Sequence, residues 1–85
     1  MNAEQDEASL VVLSRPGCHL CEAFIEALLP KVRGRLEVAV RDVDADRRWR
    51  ETYGNDIPVL LYGGREVCRH ELDAAALEAL LGDRG

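Results

Sequence analysis

The segment Ser9-Leu10-Val11-Val12-Leu13-Ser14 is a continuous apolar run, rich in valine and cut off by Arg15-Pro16-Gly17. It is too short for a helix of its own and suits a strand covered on both faces. A strand of that kind needs a layer above it and a layer below it. From His19 to Val32 the period changes. Leu20, Ala23, Phe24, Ala27 and Leu28 form one helical stripe, and Cys21, Ile25, Leu28, Leu29 and Val32 an adjacent one. Pro30 should kink or end this helix near Leu29, and Gly34 should stop it.

Further along, Leu36, Val38 and Val40 alternate with Glu37, Ala39 and Arg41, which predicts a second strand. Asp44 is a candidate N-cap for a short helix carrying Trp49 and Tyr53 on one packing face, closed by Gly54. Ile57 to Tyr62 is the next strand, with Pro58 near its start. Gly63-Gly64 then predicts a hairpin turn, and Arg65 to Arg69 a polar returning strand suited to a sheet edge. A last helix is expected from Ala74 to Leu81, capped by Asp73, stapled by Leu72 onto Leu77 and ended by Gly82. The order is βαβαββα. With a right-handed first crossover it makes an α/β fold, a four-stranded mixed sheet with helices on both faces.

Counts narrow the function. At 85 residues the chain is expected to be one domain, residues 9–85, behind a disordered acidic tail at 1–8. Sixteen acids against eleven bases, net −5, argue against a nucleic-acid partner. No apolar run approaches a membrane span, and residues 1–8 do not read as a secretory signal. The expectation is a cytoplasmic monomer, in a compartment where disulfides are transient. Three cysteines cannot all pair within one chain, so their role is expected to be chemical.

Cys18-His19-Leu20-Cys21 falls where the first strand hands over to the first helix. Three randomly placed cysteines would give this spacing in roughly 7% of chains, so spacing alone is a modest signal. Location adds the rest. A helix N-terminus presents unpaired N–H groups and partial positive charge, which favour a thiolate at Cys18. A cysteine of pKa about 8.5 is about 3% thiolate at pH 7, and a drop of about two units raises that to about 75%. Arg15 and a protonated His19 push in this direction, and Glu22 opposes it. Cys21, one turn further in, is the candidate resolving thiol. Pro58 is awkward in a core strand, because it removes a ladder donor. A cis Ile57-Pro58 bond would turn the Ile57 backbone outward as an edge for an extended substrate, whereas a trans bond would be an ordinary strand entrance.

Val11 to Cys21, then Asp42-Val43-Asp44, then Ile57-Pro58-Val59-Leu60, closely resemble the glutaredoxin-like branch of the thioredoxin superfamily, over residues 9 to 81. The resemblance implies a nucleophilic Cys18, a resolving Cys21 and a cis Pro58 beside them. It also implies a substrate surface on Arg15, His19, Leu20, Ile57 and Pro58. The implied activity is thiol-disulfide exchange on protein or glutathione mixed disulfides, in cell redox homeostasis. No cofactor is expected to be tightly bound, and glutathione is a candidate reductant. The chain departs from the family at several points. His19-Leu20 stands between the cysteines in place of proline-tyrosine, and Asp56-Ile57 precedes Pro58 in place of threonine-valine. Cys68-Arg69 occupies the place of a glycine pair, and Asp56 is expected to repel an anionic tripeptide.

Two other readings stay open. One is a thioredoxin-fold redox sensor or interaction module that reacts without turnover. The other is a zinc or iron–sulfur site built from Cys18, Cys21, Cys68 and His70, although no metal is expected. Cys68 is otherwise an extra thiol, half-buried at an edge, and His70 a solvated strand-end residue.

Overall fold

A computed structural model describes residues 9–84; the expected tail at 1–8 lies outside the described residues. The order is β1 (Leu10–Ser14), α1 (His19–Val32), β2 (Val38–Asp42), a 3-10 turn (Val43–Ala45), α2 (Arg47–Tyr53), β3 (Val59–Tyr62), β4 (Arg65–Arg69) and α3 (Ala74–Arg84). The strands lie in the order β2-β1-β3-β4. β1 and β2 are parallel, and the other two pairs are antiparallel. This is the mixed sheet that the apolar run at Leu10–Ser14 requires.

β1 shows why the run is unbroken. Leu10 and Val12 face one cluster, with Phe24, Leu28 and Val32 of α1 and Leu77 and Leu81 of α3. Leu13 faces the other, with Val43, Val59 and Leu61, against which Trp49 and Tyr53 of α2 pack. Successive side chains point to opposite faces of a strand, so a central strand with helices on both sides must be apolar at every position. Each fully buried valine or leucine contributes about 1.5–3 kcal/mol.

Several boundaries differ from expectation, each for a local reason. Helix α1 buries Cys21, Phe24, Leu28 and Val32, while Ala23 and Ala27 are exposed and Leu20 is 68% exposed. Only the stripe facing the sheet is covered. Pro30 does not end α1. Its ring suits helical φ, and the one missing N–H lies on an exposed stretch of the last turns, closed by the Arg33 N–H donating to the Leu29 carbonyl at 3.0 Å. Gly34, at φ +79, follows the helix end. Helix α2 is capped by Asp46, whose carboxylate accepts from the Arg48 and Trp49 N–H groups, and not by Asp44. The strand predicted from Leu36 starts at Val38. It is one edge of the sheet, with β4 at the other, and Val40 is 46% exposed. Helix α3 runs through Gly82 to Arg84. Its start is as expected: the Ala76 N–H donates to the Asp73 carboxylate at 3.0 Å, and Leu72 packs on the cluster containing Leu77.

The β3–β4 hairpin carries one irregularity. Gly63 and Gly64 have φ of +60 and +82, the signs a tight two-residue turn needs. Beyond the turn Leu61 pairs with Glu66, but Leu60 pairs with Cys68, so Val67 is an extra residue, a β-bulge. Val67 and Cys68 consequently both pack on the α1/α3 face.

Candidate active site

The strand register gathers the predicted residues at one end of the sheet. Ser14 pairs with Asp42 and Leu13 with Val59, so the register continues to Pro58 opposite Ser14. Arg69 pairs with Val59 at the same end. The Cys18 loop, the start of the 3-10 turn, the proline segment and the end of β4 therefore share one edge.

Cys18 is the N-cap of α1, with extended backbone, and its Sγ accepts from the Cys21 N–H at 3.1 Å. The turn is set by Pro16-Gly17, with Gly17 at φ +81, and the Cys18 N–H returns to the Arg15 carbonyl at 3.1 Å. Cys18 and Cys21 form a disulfide with Cα atoms 5.2 Å apart. Cys21 is fully buried, and Cys18 is half-buried at the surface. The pair is therefore asymmetric: the residue at the helix mouth is partly exposed, and its partner is in the core. His19 and Leu20 project outward beside Cys18, with His19 Nδ1 3.6 Å from Glu22.

Arg15 does not stand free beside the thiol. Its Nε and Nη2 donate to the Asp44 carboxylate at 2.8 and 3.0 Å, and its Nη1 donates to the Gly54 carbonyl at 3.2 Å. The Asp44 hydrogen bond raises the guanidinium pKa further, and Arg15 in turn holds the Asp44 carboxyl below its ordinary range. Asp44, expected to cap a helix, ties the Cys18 loop to the segment after β2.

The proline side is equally occupied. The Ile57-Pro58 bond is cis, and Ile57 stands just outside the β3 ladder, packed on the second cluster. Asp56 is not the lone repelling charge expected: its carboxylate lies 3.1 Å from Arg69 Nη1 and 3.2 Å from His70 Nε2. Arg69 also donates to both Glu66 oxygens at 2.6 Å, which pulls the Glu66 pKa down and raises that of Arg69.

The family model for the glutaredoxin-like domain (DUF836) matches residues 9–82. The chain belongs to this glutaredoxin-like family. Solved structures agree. Protein Ne2328 from Nitrosomonas europaea is 31% identical, covering 94% of this chain and 98% of its own, with a TM-score of 0.76. Target protein XcR50 from X. campestris is 33% identical, covering 87% and 96%, with a TM-score of 0.66. Glutaredoxin C1 from populus tremula x tremuloides, 22% identical over 92% and 87% with a TM-score of 0.57, shares the fold. A comparison with curated proteins finds no match.

This glutaredoxin-like domain does not assemble the four-ligand site weighed from sequence. The bulge turns Cys68 onto the α1/α3 cluster, where burial pushes its thiol pKa up, and His70 is bound to Asp56. Among the described residues no three metal-capable side chains converge. No described helix is long and apolar enough to cross a membrane. Asp44, Gly54 and Glu66 were missed as site residues. Asp44 and Gly54 are 29 and 39 residues from Arg15, and no local pattern marks them.

Proposed function

We propose that the chain is a small thiol-disulfide oxidoreductase. The observation that carries the reading is Cys18 at the N-cap of α1, its sulfur accepting from the Cys21 N–H and bonded to a buried partner. A thiolate there is stabilised by the helix N-terminus. In the reduced protein, Cys18 attacks one sulfur of a substrate disulfide. The substrate bond breaks, a mixed disulfide forms, and the departing thiolate takes a proton from solvent. Cys21, losing its proton, then attacks Cys18 Sγ and releases the second substrate thiol. Two electrons pass to substrate, and the Cys18–Cys21 disulfide remains.

Two glutathione thiols or the dithiol of a reductase would return those electrons. Protein or glutathione mixed disulfides are the substrates in this reading, with Arg15, His19, Leu20, Ile57 and Pro58 bordering the reacting sulfur. The setting is the reducing cytoplasm, and the acting unit a monomer.

Steady-state reduction of a mixed disulfide tests it. Wild-type protein should turn over repeatedly, Cys21→Ser should accumulate a covalent mixed disulfide, and Cys18→Ser should do neither. One stoichiometric reaction that then stops would instead support the sensor reading.

A further inference from the structure

Around Pro58 the chain is held by contacts that the exchange chemistry leaves unused. His70 sits just past β4 with φ +70, in the left-handed region that glycine enters freely and histidine seldom does. In that conformation its N–H donates to the Pro58 carbonyl at 2.7 Å, while its ring Nε2 lies 3.2 Å from Asp56 Oδ1. Both contacts close on one three-residue segment, Asp56-Ile57-Pro58. Arg69 Nη1 takes the other Asp56 oxygen at 3.1 Å, and the Asp56 N–H donates to the Tyr53 carbonyl at 2.8 Å.

The bulge builds this arrangement. In an unbroken strand, residues three apart point to opposite faces. The extra Val67 changes the alternation, so Glu66 and Arg69 meet in a two-bonded pair at 2.6 Å. Glu66 takes Nε and Nη2 of Arg69, which leaves Nη1 for Asp56. A bulge and a strained residue together, beside a reactive centre, are features that folds retain where geometry is used.

We propose that Arg69 and His70 form a latch that fixes the Asp56–Pro58 backbone in the pose where an extended peptide disulfide pairs with Ile57. His70 is thereby a positioning residue that favours peptide over small disulfides. The inference rests on the oxidoreductase reading above. Its physical basis is preorganisation: a backbone edge already held in place need not be ordered when the peptide arrives. A small disulfide that makes no backbone pairing gains nothing from it.

The test compares His70→Gly and His70→Asn with wild type on two substrates. One is an extended peptide carrying a thionitrobenzoate mixed disulfide, and the other is bis(2-hydroxyethyl) disulfide. His70→Gly keeps the left-handed backbone and the N–H to Pro58 but loses the ring. It should raise KM for the peptide by about tenfold, and for the small disulfide by less than about twofold, with kcat little changed. His70→Asn, which tolerates positive φ and keeps a side-chain donor, should recover most of the loss. Equal effects on both substrates, or none on the peptide, overturn the proposal. Amide exchange gives a readout independent of turnover: His70→Gly should speed exchange at Asp56 by about tenfold and leave Leu60 unaffected. If wild type reduces neither disulfide, the oxidoreductase reading fails on its own account, and unchanged exchange at Asp56 overturns the latch separately.

Discussion

Two arginines flank the site, and they are held in opposite ways. Arg15, on the Cys18 side, reaches across the chain to Asp44 and Gly54. Arg69, on the proline side, first takes Glu66 of its own strand and only then Asp56. The first contact ties the Cys18 loop to a distant segment. The second stiffens a hairpin end and passes that stiffness to its neighbour. In both cases the guanidinium is matched by carboxylate, so neither arginine offers a free cation. With Arg15 paired to Asp44, what the Cys18 sulfur meets directly is the N-terminus of α1, through the Cys21 N–H.

The largest effect expected falls on the sulfur itself. Cys18→Ser should lower disulfide reduction by about a thousandfold or more, with the arginine contacts on both sides intact. Activity surviving in that variant would move the chemistry away from the helix mouth. Next comes the strand that carries both sides. Leu13→Ala, at a fully buried position of β1, should lower unfolding free energy by about 2–5 kcal/mol, read from the urea midpoint. Because β1 pairs with β2 and β3, both sides should loosen together, and amide exchange that rises on one side only would break the comparison.

Acid titration compares the two carboxylates directly. Asp44 and Glu66 both have folded-state pKa values below their ordinary ones, chiefly through hydrogen bonds from Arg15 and Arg69. Each therefore stabilises the fold fully above the ordinary carboxylate range of about 4, and that contribution is lost as pH falls through the lower folded value. Asp44→Asn and Glu66→Gln should each flatten the fall in stability between about pH 5 and pH 2. Denaturant midpoints across that range check it; a slope unchanged by either variant removes that ion pair from the account. The smallest effect is the sharpest. Arg15→Gln combined with Asp44→Asn should move the Cys18 thiolate titration by less than about half a pH unit, read by thiolate absorbance. A larger shift would restore Arg15 as an activating charge.

Much of this is legible in the sequence. The unbroken run at Leu10–Ser14 dictates a central strand, and the glycine pair at 63–64 dictates the hairpin, because both act through nearest neighbours. Cys18 and Cys21 were legible as a pair because i, i+3 spacing at a strand-to-helix junction places them one helical turn apart. The errors arose where local rules compete. Asp44 and Asp46 are both competent N-caps, and the contact with Arg15 decides between them. Pro30 and Gly82 break helices in isolation, yet packing of α1 and α3 on the sheet carries both helices past them.

Sequence by itself determined the layer order and the Cys18–Cys21 spacing at a strand-to-helix junction, since periodicity, turn chemistry and spacing are short-range properties, while the place of Pro58 beside that pair followed from the family resemblance. Tertiary structure alone decided which charges are neutralised. Asp56 reads as an exposed anion and Arg15 as a free cation until folding brings partners from 13 to 39 residues away. It also decided the fate of Cys68. A single extra residue at Val67 turns that half-buried thiol onto the α1/α3 cluster and aims Arg69 at the proline segment, and a bulge is a property of two paired strands, not of one.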